Sequence, residues 1–342
     1  MSERNEMPVV EFAKVCKFFR RHRGMGELIP GAKTPDHVRA LDDISFSLER
    51  GRVLGLVGES GSGKSTLANV LVGLEAPTSG KMLFQGRDIA TFSRPEKRSF
   101  HGQVQMVFQD PYASLNPRFT IRQTIEEPLI IHSYRRQERT RLVIEALERS
   151  ELRPGAAFLD RYPHELSGGQ RQRVAIARAI VLGPSVLVAD EPVSMLDVSV
   201  RAGILRLLRS LIDRLGMALV FITHDLSLIG QICDELMILY RGKVAEFGPV
   251  GPILDRPLHP YTQQLMAAVP VPDPRSRPVE LPAQLMNAAG IVEEGPRCNF
   301  APRCIHAVDI CRNTIPVPRR IGEIEVACHR VEELEGVATK EK

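Results

Sequence analysis

Residues Gly58-Glu59-Ser60-Gly61-Ser62-Gly63-Lys64-Ser65 decide the fold of this chain, because Val53-Leu54-Gly55-Leu56-Val57 leads straight into them. The first stretch has the form G-x-x-x-x-G-K-[ST], and the second reads as a buried strand. Glycines in such a turn let successive backbone N–H groups point inward onto a phosphate. The helix that follows, Lys64 to Leu74, adds its positive end. The cradle runs from Gly58 to Thr66, with Lys64 placed to reach the β- and γ-phosphates and Ser65 to bind Mg²⁺ through its hydroxyl. A strand before and a helix after is the context that separates a phosphate cradle from a chance glycine-rich turn. The implied ligand is a nucleoside triphosphate.

Bulk properties narrow the class. The chain has 342 residues, 43% hydrophobic and 25% charged, with a formal net charge of +4. That is the composition of an ordinary globular protein, long enough for one large domain with an appendage. The net charge is too small to imply nucleic acid. The arginine clusters (Arg20, Arg21, Arg23; Arg135, Arg136, Arg139, Arg141) read as solvated faces. No apolar run approaches the ~18–20 residues that cross a bilayer. The N-terminus is polar and charged, without a signal-peptide core. The expectation is residence in the cytoplasm, with any membrane role peripheral.

Strands are expected at 9–19, 40–49, 53–57, 80–86 and 103–108, with the basic stretch Arg20 to Val38 as an exposed loop. Helical patterns dominate from Ile121 to Gly183. Val186-Leu187-Val188-Ala189 is a short apolar strand ending in Asp190-Glu191. The helix from Ser199 to Leu215 buries Ile204, Leu208, Leu211, Ile212 and Leu215, and Gly216 ends it. Further strands follow at Ala218 to Thr223, 235–240 and 243–247. Buried strands alternating with helices imply a parallel α/β core. Thirteen of the 25 prolines lie between Pro249 and Pro318, which marks an extended appendage with little regular structure of its own.

The rest of the chain discriminates among the many proteins that use a phosphate loop. Asp190, at a strand end, can hold Mg²⁺ beside Ser65, and Glu191 can polarise an attacking water. Leu166-Ser167-Gly168-Gly169-Gln170, followed by Arg-Gln-Arg-Val-Ala-Ile-Ala-Arg-Ala, resembles the signature motif of ABC transporter ATPases. In that family two such domains pack head to tail with two ATPs between them. The resemblance therefore implies that Ser167, Gly168, Gly169 and Gln170 grip a γ-phosphate bound to a second subunit. It implies that Gln109 senses Mg²⁺ and the attacking water, that Asp197 in Ser194-Met195-Leu196-Asp197 communicates across the dimer, and that His224 contacts the γ-phosphate. Phe19 matches the aromatic that stacks on adenine. Met195 stands where the family more often has alanine, and Phe19 where it usually has tyrosine.

Phe108-Gln109-Asp110-Pro111-Tyr112-Ala113-Ser114-Leu115-Asn116-Pro117 and Pro257-Leu258-His259-Pro260-Tyr261-Thr262 resemble the ATPases of dipeptide, oligopeptide and nickel importers. The implied fold is an ABC-type P-loop nucleotide-binding domain at 9–250, with a RecA-like parallel core, an antiparallel β subdomain and a helical subdomain at about 115–182. An irregular cysteine-containing C-terminal extension occupies 251–342. The implied partners are two transmembrane permease subunits, a second ABC ATPase subunit and an extracytoplasmic solute-binding protein, at the cytoplasmic face of the plasma membrane. Nickel, opines and oligosaccharides stay open as solutes beside peptides. A soluble ABC ATPase of DNA repair or translation would bring coiled-coil insertions or two nucleotide domains, and this sequence shows neither.

The six cysteines divide by position. Cys16 and Cys233 stand alone in apolar surroundings, as buried spectators. Cys298, Cys304, Cys311 and Cys328 crowd the tail, and clustered thiols in a reducing compartment argue for a metal or cluster site. Four thiolates with no histidine in register suit an iron–sulfur cluster or zinc. The family resemblance puts [4Fe–4S] ahead of zinc. The residues between the cysteines, Pro302, Pro316 and Pro318 among them, include too few apolar side chains to form a core, so the expected role is structural, at a place remote from the ATP site.

Overall fold

The computed structural model describes residues 7–20, 37–268 and 295–333. The central sheet has eight strands in the order β11-β12-β10-β9-β3-β8-β7-β6. These are β3 (Val53–Val57), β6 (Val104–Val107), β7 (Val186–Asp190), β8 (Ala218–Ile222), β9 (Glu235–Tyr240), β10 (Lys243–Pro249), β11 (Arg319–Ile321) and β12 (Ile324–Val326). The run from β9 through β6 is parallel, and β10, β12 and β11 add antiparallel at one edge. β3, β7 and β8 are buried on both faces, which is why they read as apolar runs, whereas the edge strand β6 carries half-buried Gln105 and Met106. Val53, Leu187 and Phe221 point into one core, while Leu54, Val188 and Val220 point into the other.

A second, antiparallel sheet, β2-β1-β4-β5, covers the latter core. It comprises β1 (Val10–Arg20), β2 (His37–Leu48), β4 (Ser79–Phe84) and β5 (Arg87–Asp88). The buried positions of β2 step by three from Leu41 to Ile44 and then by two to Phe46 and Leu48. The irregular step falls where Asp43 takes φ 60 and the pairing with β1 shifts register, the signature of a bulge. Arg20 closes β1 and His37 opens β2, so the strands extend into the expected loop, whose residues 21–36 lie outside the described ones.

Helix α1 (Lys64–Leu71) follows β3 directly, and α2 (Arg94–Gln103) leads into β6. Helices α3 (Pro111–Ser114), α4 (Ile121–Ile131), α5 (Arg136–Arg149) and α6 (Gly168–Ile180) close on a core of their own around Leu115, Ile125, Leu129, Val143, Leu147 and Val174. Helix α7 (Val198–Leu215) ends at Gly216, which takes φ 63 as a left-handed cap. Helices α8 (Ile229–Ile232), α9 (Val250–Asp255) and α10 (Pro260–Ala267) complete the opposite layer.

The C-terminal segment is more ordered than its prolines imply. It supplies β11, β12 and helix α11 (Asp309–Asn313), and β12 pairs with β10 as a continuation of the central sheet. Phe300, Ile324, Val326 and Val331 are buried in the main core. Prolines mark the joints of this segment, while sparse apolar anchors dock it. Those anchors carry no periodicity, so the pattern was invisible.

Candidate nucleotide site

Four parallel strands end side by side, and the chemistry gathers at their carboxyl ends, where open α/β sheets bind ligands. β3 runs into Gly58–Thr66, β6 into Gln109, β7 ends on Asp190 with Glu191 next, and β8 leads through Thr223 to His224. The phosphate loop turns into α1 through Gly63, at φ 112. A Cβ there would meet the Ala40 carbonyl oxygen at 2.5 Å, so only glycine fits. Lys64 is nearly buried, and its Nζ donates to the Gly58 oxygen at 2.6 Å and the Glu59 oxygen at 2.9 Å. Ser60, Gly61 and Ser65 stand exposed at the mouth.

Burial lowers the Lys64 pKa against the pull of Glu191, Asp190 and Glu59. Burial, reinforced by the Glu191 charge, raises that of Asp190 against Lys64. Both groups are pushed toward neutrality, so the site disfavours its own charges. A divalent cation beside Asp190 and a phosphate beside Lys64 would reverse both shifts. The oxygen donors at Ser65, Gln109 and Asp190 suit a hard cation such as Mg²⁺.

Glu191 is the centre of the constellation. Gln109 Nε2 donates to its Oε2 at 2.8 Å, and His224 Nδ1 lies 3.0 Å from its Oε1. Its backbone takes φ 46, left-handed for a non-glycine residue, at a cost of about 1–3 kcal/mol that a packed fold must impose. Its N–H donates to the Ile222 oxygen at 2.9 Å, which pins the strained residue to β8. Gln109, Glu191 and His224, separate in sequence, thus meet on one carboxylate.

The signature residues are built as a helix start. Ser167 Oγ accepts from the Gln170 N–H at 3.3 Å, and Gln170 Oε1 accepts from the Ser167 N–H at 3.0 Å, a reciprocal capping box. A Cβ on Gly169 would lie 2.6 Å from Val200 Cγ1, so glycine lets α6 approach the start of α7 closely. Asp197, the N-cap residue of α7, is exposed together with Met195 and Val198. Phe19 is 37% exposed near the end of β1, with Lys17 Nζ 4.9 Å from its ring centre.

Glu59 departs from the phosphate-contact role expected of it. Its N–H donates to Tyr261 Oη at 2.9 Å, and its carboxylate takes a bidentate pair from Arg303 at 2.7 and 2.9 Å. Arg303 adjoins Cys304, so the cysteine segment is not remote from the nucleotide loop. Sequence reasoning missed both partners. Tyr261 lay within the quoted Pro257–Thr262 run without a role, and nothing local singles out Arg303.

Cys298, Cys304 and Cys328 pack at the edge of the main core, and Cys311 is buried. Cys298 donates its N–H to the Cys311 oxygen at 2.9 Å. Burial pushes the Cys304 thiol up to about 11, and Cys328, Cys298 and Cys311 press the same way. The four thiols are therefore neighbours. Among the described residues, though, no three His, Cys, Asp or Glu side chains form a group that could hold a metal ion. Cys233 is half-buried, not buried, with its sulfur packed against Gly55, and desolvation pushes its thiol far up. Cys16 is half-buried and its Sγ accepts from the Asp43 N–H at 3.3 Å, so it serves the β1–β2 bulge. No helix among the described residues is long and apolar enough to cross a membrane.

Residues 41–194 match the family described as ABC transporter, and residues 245–311 match the oligopeptide/dipeptide transporter C-terminal region. The chain is 44% identical over 302 residues to the di/tripeptide transport ATP-binding protein DppF of Pseudomonas aeruginosa, covering 87% of this chain and 92% of that protein. It is 41% identical over 336 residues to the oligopeptide transport ATP-binding protein AppF of Bacillus subtilis, covering 96% and 99%. Among solved structures, cbiO1 of Clostridium perfringens, part of the cbiONQ transporter complex, superposes with TM-score 0.63 at 27% identity, covering 73% of this chain and 92% of that one. A dimeric, post-hydrolysis state of the ATP-binding cassette MJ0796, bound to ADP and Pi, gives TM-score 0.60 at 29% identity, covering 70% and 98%. With its phosphate loop, its carboxylate at the strand end and relatives matched along nearly their full length, this chain belongs to the ATP-binding subunits of dipeptide and oligopeptide ABC transporters.

Proposed function

We propose that this subunit hydrolyses ATP to drive import of dipeptides or oligopeptides. The carrying observation is Glu191, held at 2.8 Å by Gln109 and 3.0 Å by His224 directly after Asp190. In this reading Glu191 accepts the proton of the attacking water and Gln109 orients it. Lys64, the amides of the loop other than that of Glu59, and His224 hold the γ-phosphate in line. Bound Mg²⁺, on Ser65, Gln109 and Asp190, would neutralise charge on the phosphates. Positioning and electrostatics carry the catalysis. Phe19 supports adenine.

Ser167, Gly168, Gly169, Gln170 and Asp197 are proposed to serve the nucleotide of a second ATPase subunit, packed head to tail, with a heterodimer as the expected arrangement. The hydrogen bonds of Ser167 and Gln170 stay within the α6 cap and those of Asp197 within the start of α7, leaving the α6 end available. A permease loop would dock beside Gln109, where Leu74, Phe108, Tyr112 and Ile131 are 48–65% exposed. Such a cluster of exposed apolar side chains suits a protein interface. Two permease subunits and an extracytoplasmic solute-binding protein complete the assembly, at the cytoplasmic face of the plasma membrane. The catalytic domain is assigned to 9–250, its helical part to about 115–182, and the extension to 251–342.

Cys298, Cys304, Cys311 and Cys328 are proposed to ligate one structural [4Fe–4S] cluster. A cluster spreads its thiolate ligands over four irons, which suits four cysteines with no histidine in register. Burial raises the pKa of the Cys298, Cys304 and Cys328 thiols, and bound iron would draw them to thiolates. The function as a whole is tested by reconstituting the subunit with its permeases and binding protein in vesicles. ATP-dependent uptake of a labelled dipeptide or oligopeptide is expected. Uptake of nickel, an opine or an oligosaccharide, with peptides refused, would replace the solute.

A further inference from the structure

Glu59 is the pivot of the phosphate loop, and every polar group it owns is engaged. Its carbonyl oxygen accepts from Lys64 Nζ at 2.9 Å and from the Ser62 N–H at 3.1 Å, bonds that shape the cradle from within. Its N–H and carboxylate are held from outside, by Tyr261 and Arg303 of the C-terminal segment. Neither outside partner is a passing surface contact. Tyr261 is fully buried and Arg303 is 12% exposed. Tyr261, Tyr240 and Phe300 pack ring on ring, with centroids 4.6–5.5 Å apart, and the Arg303 guanidinium lies 5.8 Å from the Tyr240 and Phe300 centroids. Arg303 sits in a tight turn between two of the tail cysteines: Ala301 N–H donates to the Cys298 oxygen, and Arg303 and Cys304 N–H both donate to the Phe300 oxygen.

We propose that Tyr261 and Arg303 are positioning residues for ATP binding: by holding Glu59 they keep the phosphate loop open for nucleotide. Through Arg303, the turn between Cys298 and Cys304 sets the affinity of the ATP site. The inference rests on the proposed nucleotide function. A planar guanidinium fixes both carboxylate oxygens at once, which a lysine cannot do, so the geometry of the loop is specified as well as its charge. Neither side chain touches phosphate, so the effect falls on nucleotide affinity and leaves the bond-breaking step alone.

The test is a titration of the purified transporter with a fluorescent ATP analogue, together with steady-state ATPase kinetics. Tyr261→Phe deletes one hydroxyl and keeps the ring, and Arg303→Met keeps bulk and removes the fork. Each is expected to raise Kd and KM for ATP about tenfold, the usual cost of one lost charged or buried hydrogen bond, with kcat at saturation within about twofold of wild type. Arg303→Lys should recover part of the loss. Glu59→Gln combined with Arg303→Met should be no worse than Arg303→Met alone, because both remove the same pair. Replacing Cys298 and Cys304 by serine should weaken nucleotide binding in the native chain and add nothing in the Arg303→Met background. Wild-type affinity in both Tyr261→Phe and Arg303→Met would overturn the inference, as would a fall in kcat at unchanged KM. Failure of the wild-type transporter itself to bind the analogue would overturn the nucleotide function instead.

Discussion

Gln109 Nε2 donates to Glu191 Oε2 at 2.8 Å, and the residue before Gln109, Phe108, is 48% exposed. One hydrogen bond thus separates the carboxylate at the strand end from the surface proposed to receive a permease. A partner that moves the segment after β6 by an ångström would lengthen that bond and free Glu191 for water. The strained φ of 46 at Glu191 narrows the geometries open to it, so small displacements at Gln109 act on a stiff neighbour.

Glu191→Gln should leave ATP binding intact and nearly abolish turnover. The amide keeps the shape and the bond to Gln109 but cannot take a proton, so hydrolysis should fall by the ~10²–10⁴-fold typical of a lost general base. The check is single-turnover hydrolysis in the assembled transporter alongside nucleotide trapping. Near-wild-type turnover would remove Glu191 from this role. Lys64→Ala should fail earlier, at nucleotide binding, which filter binding separates cleanly.

Ser167→Arg, placed in one chain of a mixed dimer, should impair the ATP site whose phosphate loop belongs to the other chain. The motive is the capped start of α6, where the Ser167 and Gln170 side chains satisfy each other and the helix end stays open to a ligand. Photolabelling with an ATP analogue identifies which site is lost. Loss at the site containing Lys64 of the same chain would exclude the head-to-tail arrangement.

Much of this site was legible in sequence because each member follows a buried strand. The five residues of β3 and the strand before Asp190 are continuous apolar stretches, the run into Gln109 is broken only by Gln105, and a parallel sheet forces their ends together. The convergence of Gln109 and His224 on Glu191 follows from strand order, which motif spacing only hints at. The tail was read less well. Tyr261 and Arg303 reach the phosphate loop, with Phe300 packed against both, through pairwise contacts between distant segments, and single aromatic and charged residues leave no period to read. Glu246 is another such case: a fully buried carboxylate on β10 whose oxygens accept from the Leu258 and His259 N–H groups at 2.9 and 3.0 Å.

Purified without oxygen, the protein should be brown, absorbing broadly near ~400 nm as thiolate-bound iron does. Substituting any one of Cys298, Cys304, Cys311 and Cys328 by serine should bleach it. A colourless protein with one zinc per chain would keep a four-thiol site and overturn the cluster. Four freely titrating thiols with no metal would remove the site.

The docking of the tail should weaken in acid, through His259. This ring is 4% exposed, and its Nδ1 accepts from the Tyr261 N–H at 3.0 Å. Its proton therefore sits on Nε2, bonded to the Ala327 backbone oxygen. Burial lowers its pKa from 6.5 to about 4, so it is neutral in the fold. The unfolded chain takes up this proton near pH 6.5 and the folded chain only near pH 4. Between those values the unfolded state binds more protons, so stability rises with pH across that window and falls as pH drops through it. Glu246 faces the same segment, and burial raises its pKa, which acts in the opposite sense and would blur a bare melting curve. His259→Gln removes the ambiguity, since the amide can accept from Tyr261 and donate to Ala327 without titrating. The difference in melting temperature between wild type and His259→Gln should be flat above about pH 7. It should then shift against the wild type as pH falls toward 4, while in the folded chain Tyr261 keeps its hold on Glu59 until His259 itself takes a proton near pH 4. Parallel curves for the two proteins would mean that His259 does not titrate on unfolding.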